Sequence, residues 1–252
     1  MSSMIKALPL TLAASLAFLA PPALAEPTHV MVRAQAQDAK FIGDHMGGVQ
    51  VTLTDARTGK VLAKGLIRGG TGDTPRIMKA RRVRGAQLTD ADTAGLDAVV
   101  DISEPTLLNI RAVGPVGKPA ASVEVSSTLW VIPGRDIVGD GLVLTFPGLV
   151  VEPAAAVEPD GLIHLQAKIS PMCGCPIETG GLWDAANYTV RATVSHRGKR
   201  FAETSLAFTG RTGEYAGALQ KPADGRYSVR FVATDAKTSN AGVAVQALKV
   251  GR

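Results

Sequence analysis

After position 26 the apolar residues alternate with polar ones in short runs, and no stretch repeats them at helical spacing. A period of two places one side of each run in a core and the other in water, the pattern of a half-buried β-strand. Residues 29–37 set Val30, Val32, Ala34 and Ala36 against polar partners, and 48–55 set Val49, Val51 and Leu53 against Gln50, Thr52 and Thr54. Ala56-Arg57-Thr58-Gly59-Lys60 then reads as a hairpin turn into 61–66. Further strands are predicted at 96–102, 106–113, 122–132 and 141–146. Gly, Pro, Asp and Asn punctuate the runs, so the chain reads as all-β, built from antiparallel sandwiches. Aromatics make up only 4% of it, so its cores must be assembled from small and branched side chains.

The first 25 residues read as a secretory leader. Lys6 gives a short positive start, Leu8 to Ala20 carry no charge, and Ala23-Leu24-Ala25 offers small residues for cleavage before Glu26. The apolar run is about 13 residues, short of the roughly 20 that a spanning helix needs. The mature chain is therefore expected as 26–252, in the periplasm or secreted, with no transmembrane segment. The whole chain carries a formal charge of +5, which loses one unit with Lys6. Scattered charge of that size on an exported protein does not point to nucleic acid. The expected partner is another periplasmic protein.

Two sandwich domains are expected, at 26–151 and 162–252. Residues 152–161, Glu-Pro-Ala-Ala-Ala-Val-Glu-Pro-Asp-Gly, interrupt the alternation and read as a linker. Within the first domain, 67–95 is long for a loop. It opens with a Gly-rich stretch and carries Arg76, Lys79, Arg81, Arg82 and Arg84, so it reads as a solvated basic excursion or as a surface for an acidic partner or lipid headgroups. In the second domain strands are predicted at 162–169, 188–195, 201–208, 212–219, 226–234 and 242–250.

Gly213-Glu214-Tyr215, then Ala223-Asp224-Gly225-Arg226-Tyr227-Ser228-Val229-Arg230, then Ala233-Thr234-Asp235 mark a turn into a late strand with a tyrosine near a sheet corner. On these residues the second half resembles the bacterial immunoglobulin-like (Ig-like) domains of exported proteins. The resemblance implies a β-sandwich scaffold and no particular activity. The Cys…Trp…Cys framework of antibody domains is absent, because Cys173 and Cys175 are adjacent and Trp183 follows both.

Those two cysteines are the chain's only ones, and they sit in Ser170-Pro171-Met172-Cys173-Gly174-Cys175-Pro176. Thiols one residue apart cannot staple distant parts of a fold, and three readings of them remain open. They form a local disulfide, the default outside the cytosol. Alternatively they exchange with other thiols, although Cys-x-x-Cys at a helix start is the usual arrangement for that. Or they grip Cu(I), with Cys173 and Cys175 as thiolates, Met172 as a weak third ligand and His164 as an extra one. A second candidate metal cluster is His29, Met31, His45 and Met46, since mixed His and Met ligands suit copper where cysteine would oxidise. Asp90, Asp92, Asp97 and Asp101 lack the spacing of a known calcium loop and read as turn-forming acids. Trp130 and Trp183 read as core or corner residues.

No nucleophile elbow, phosphate-cradling loop or His-Glu-x-x-His pair occurs. The leading expectation is a non-enzymatic binding or accessory protein that binds or delivers Cu(I). An Ig-like scaffold with a local disulfide is the nearest rival, and thiol–disulfide exchange stands third.

Overall fold

The computed structural model describes residues 24–251. The expected leader therefore lies almost wholly outside the described residues. Among them, no helix is long and apolar enough to cross a membrane. The described residues form sixteen strands and a few helical turns: β1 (Glu26–Ala36), β2 (Val49–Asp55), β3 (Val61–Ile67), β4 (Leu96–Ile102), β5 (Thr106–Gly114), β6 (Val123–Val131), β7 (Ile137–Phe146) and β8 (Leu149–Val157). There follow β9 (Leu162–Pro171), β10 (Ile177–Glu178), β11 (Trp183–Asp184), β12 (Tyr188–His196), β13 (Lys199–Phe208), β14 (Glu214–Gln220), β15 (Gly225–Asp235) and β16 (Ala241–Val250).

The first sandwich packs a three-stranded sheet, β4-β1-β7, on a four-stranded one, β3-β2-β5-β6. The alternation read from sequence decides which residues meet. Val30, Val32 and Ala34 of β1 face Val49, Val51 and Leu53 of β2 and Leu108 and Ile110 of β5, all fully buried. Strand β1 pairs antiparallel with β4 and parallel with β7, and the register against β7 slips between Val30 and Val32. Trp130 departs from the expectation of a core or corner residue. It lies on the solvent side of edge strand β6 and is 62% exposed.

In the second sandwich β16-β15-β12-β13 form one face and β14-β9-β8 the other. Strand β13 joins them by pairing with β12 along most of its length and with β14 only at Ala207 and Phe208. Ile163, Leu165, Ala167 and Ile169 of β9 fill the core with Val190, Ala192, Val229 and Phe231. The corner tyrosine is Tyr227, whose hydroxyl donates to the Ala223 carbonyl at 2.9 Å.

The expected linker is not one. Residues 152–157 belong to β8, which pairs antiparallel with β9 from Leu149↔Pro171 to Val157↔Ile163. Only 158–161 form a turn, closed by Glu158 N–H to the Leu162 carbonyl at 3.0 Å. Pro153 and the alanines are poor strand formers, but β8 ends its sheet, and a proline is tolerated on an edge whose outward amide has no partner. The passage between sandwiches is Pro147-Gly148, between β7 and β8.

Asn240, only 4% exposed, ties that passage down. Its side chain accepts from Gly148 N–H at 2.8 Å and donates to the Gln37 carbonyl at 3.0 Å. Replacing it with alanine strands two groups, so Asn240→Ala is expected to lower unfolding free energy by about 1–3 kcal/mol in a urea melt. Ser239→Ala, whose hydroxyl accepts only an exposed bond from Gln37, is expected to cost less than about 0.5 kcal/mol.

Candidate functional site

The cysteine loop leaves the end of β9 and turns at once. Gly174 N–H donates to the Pro171 carbonyl at 2.8 Å, and Gly174 takes φ +70°, a conformation glycine adopts at no steric cost. Cys173 and Cys175 are joined in a disulfide with Cα atoms 5.4 Å apart. The loop lies at one end of the second sandwich, as its place between strands suggests, but it is not displayed to solvent. Met172, Cys173 and Cys175 are 2%, 0% and 3% exposed.

The first sandwich packs against the glycine between them. Asp44–Met46 forms a single 3-10 turn, closed by Gly47 N–H to the Asp44 carbonyl at 2.8 Å and anchored by Gly117 N–H to the Met46 carbonyl at 2.9 Å. A β-carbon added at Gly174 would collide with His45 Nε2 and lie 2.7 Å from Met46 Sδ. Both side chains therefore rest on the glycine between the two cysteines. Met46 is buried, whereas His45 is exposed and Gly174 half-buried, so the contact opens to solvent along one side.

The structure redistributes the expected ligands. Met172 turns toward the domain passage, its Cε 2.8 Å from where a Gly148 β-carbon would stand. His164 is at the far end of β9, roughly 26 Å away for eight residues of extended strand. There its Nε2 lies 2.7 Å from Asp160 Oδ2. It cannot join the cysteines. The second expected cluster is split. His45 and Met46 meet the cysteine loop, Met31 lines an open depression shared with His45 and Asp97, and His29 Nδ1 lies 2.9 Å from Asp97 Oδ2. Asp90 accepts from Thr93 Oγ1 at 2.6 Å, a turn-forming acid as read from sequence. Among the described residues, no group of three or more His, Cys, Asp or Glu side chains gathers to hold a metal ion.

Further contacts brace the loop. Ile177, fully buried, receives Gly213 N–H on its carbonyl at 2.9 Å. Trp183 is 7% exposed and donates its indole N–H to the Asp38 carbonyl at 3.0 Å, so it is the corner residue expected, now bridging the two sandwiches. Lys118 and Glu152 form an ion pair across the same junction at 2.6 Å. Sequence reasoning singled out both halves of this site but could not bring them together. Asp44-His45-Met46-Gly47-Gly48 and Met172-Cys173-Gly174-Cys175 lie more than a hundred positions apart.

No family model matches the chain, and no curated protein does. Among solved structures, a chain of the complex titled "Crystal structure of ICOS in complex with ICOS-L and an anti ICOS-L VNAR domain" is similar at 10% identity and a TM-score of 0.20, covering 87% of this chain and 94% of that one. A β-glucuronidase of Bacteroides uniformis is similar at 13% identity and a TM-score of 0.22, covering 88% of this chain and 24% of that one. Likenesses this distant carry no argument about function. The sandwich assignment rests on the strands themselves.

Gly174→Ala is expected to cost about 2–4 kcal/mol in a denaturant melt, combining the left-handed backbone with overpacking against His45 and Met46. Gly161→Ala, at φ +79° but facing open space, should cost only about 1–2 kcal/mol. The hydrogen bond and then the charge of Asp97 hold the His29 pKa above its ordinary value. The pair's contribution to stability is therefore complete below pH about 6.5 and is lost as pH rises through the raised value. An NMR titration should find His29 titrating above an ordinary histidine, and Asp97→Asn should bring it down.

Proposed function

We propose that this chain is an exported, non-enzymatic accessory or binding module: two Ig-like sandwiches held as one arm by the cysteine loop. The observation that carries the reading is the packing of Cys173-Gly174-Cys175 onto His45 and Met46, which places the oxidised pair inside the junction. A loop closed over so few residues constrains the unfolded chain weakly, by about 1–2 kcal/mol in the chain-entropy account. Its value lies in presenting a rigid, shape-matched knob to the first sandwich. Tandem sandwiches with a fixed angle suit a periplasmic protein that spaces or presents a partner.

One observation favours a second reading, soft-metal binding. If a dithiol reductant takes the disulfide to two thiols, itself becoming a disulfide, the thiols flank the Gly174 on which Met46 and His45 rest. Loss of their two protons would then give a sulfur-rich donor set of the kind Cu(I) prefers. The ligands would be Cys173, Cys175, Met46 and His45 rather than His164.

The test uses the chain from Glu26 onward. The protein is reduced anaerobically, its free thiols are counted, and Cu(I) is titrated against a competing chelator. The scaffold reading expects no Cu(I) retained, and a Cys173→Ser/Cys175→Ser variant that is less stable. Stoichiometric Cu(I) retention, lost in that variant and weakened by His45→Ala or Met46→Ala, would replace it with the metal reading. Catalytic turnover of a thiol substrate would replace both with thiol–disulfide exchange.

A further inference from the structure

The basic excursion is fixed to the first sandwich. At its base Gly95 N–H donates to the Arg68 carbonyl at 2.9 Å, Gly70 N–H to Asp92 at 2.7 Å and Ala94 N–H to Gly70 at 2.9 Å. Arg33, 6% exposed, reaches beneath it and donates to the carbonyls of Thr93, Ala94 and Gly139. Asp140 on β7 takes the Leu88 N–H at 2.9 Å, the Thr89 N–H at 3.0 Å and the Thr89 hydroxyl at 2.7 Å. Ile77, 5% exposed, anchors the first half in apolar surroundings. Arg76 is held as well, through its N–H to Asp73 and its guanidinium to the Thr89 carbonyl.

Between these anchors the chain stands out from the sheet. Residues 79–87 are all exposed, and Val83 is 67% exposed. Lys79, Arg81, Arg82 and Arg84 make no side-chain hydrogen bond or ion pair among the described residues, although the acids Asp73, Asp90 and Asp140 lie on the same segment or under it. Those acids are all engaged by neighbouring amides and hydroxyls. The fold thus uses these three carboxylates as internal pins and leaves four cations free on the same segment as the exposed Val83. A hollow of about 260 Å³ lies beside them, lined in part by Arg81, Arg82, Gln87 and Asp140.

We propose that this loop is a docking surface for anionic phospholipid, with Lys79, Arg81, Arg82 and Arg84 on headgroup phosphates and Val83 entering the interfacial zone. An acidic protein would use the same cations. Protein contacts, however, are usually built round a core of several buried apolar side chains, and 79–87 offers one large apolar side chain, Val83. Cations on the same segment as an exposed aliphatic residue fit a surface that is charged outside and greasy just beneath. Each Lys or Arg near such a surface strengthens partitioning about fivefold, so four together matter even though one would not.

The test is co-sedimentation of the oxidised chain from Glu26 onward with vesicles. One set contains phosphatidylglycerol mixed with phosphatidylethanolamine and the other phosphatidylcholine alone, each at low and high salt. Binding is expected to the anionic vesicles only, and to fall with salt. The Arg81→Ala/Arg82→Ala/Arg84→Ala variant should partition roughly a hundredfold more weakly at low salt. These side chains hold nothing in the fold, so its thermal melt should match the parent. Val83→Ser should weaken vesicle binding without changing retention on immobilised polyglutamate. No binding to anionic vesicles, or equal binding by the triple variant, overturns the proposal. Retention on polyglutamate without vesicle binding would assign the loop to an acidic protein instead.

Discussion

The close approach of Gly174 to the His45–Met46 turn governs how the two sandwiches meet. A side chain larger than hydrogen at that point would meet both His45 Nε2 and Met46 Sδ. The backbone turn there also demands a left-handed conformation. Once the loop is seated, the rest of the junction has its positions fixed. The disulfide is buried, Met172 fills the space beside Gly148, and Trp183 and Asn240 come within hydrogen-bond reach of Asp38 and Gln37. A passage as short as Pro147-Gly148 leaves little freedom for other arrangements.

Charge is handled differently beneath the basic excursion and on its outer face. Where a charged side chain is buried or half-buried, as at Arg33 and Asp140, backbone groups surround it, because an unpaired charge in such a place is costly. Partial burial pushes the Asp140 carboxyl upward, yet the donors from Leu88 and Thr89 outweigh it and hold the pKa below the usual range. That anchoring is complete at neutral pH and is lost only as pH falls through the depressed value. Where cations are exposed, between Lys79 and Arg84, none has a side-chain hydrogen bond or ion pair among the described residues. The inner pins make the outer display possible, since a loop of this length without them would be mobile.

Most of the architecture was legible in the sequence because each strand carries its own alternation. Thirteen of the sixteen strands answer to runs read directly from residues 29–250. Strand β8 was missed because Pro153 and the run Ala154-Ala155-Ala156 carry a weak strand signal, and its pairing with β9 supplies what local preference does not. The short β10 and β11 are likewise products of tertiary contact. For the site, a local disulfide was one of three readings that the spacing of Cys173 and Cys175 left open, and the structure forms it. Its burial was not readable, because nothing local to residues 170–176 announces a neighbour at 44–46. His164 illustrates the limit. It lies on the outer face of β9 between the buried Ile163 and Leu165, and strand length carries it away from the sulfurs.

The cysteine pair is buried at the junction, with His45 and Met46 packed on the glycine between its two halves. That burial is checked by the rate at which a water-soluble phosphine reduces the Cys173–Cys175 bond in the native protein and in urea. Shielding predicts that native reduction waits for local opening and runs at least about tenfold slower than in the unfolded chain, with Met46→Ala recovering part of the difference. Equal rates in the folded and unfolded protein would contradict it.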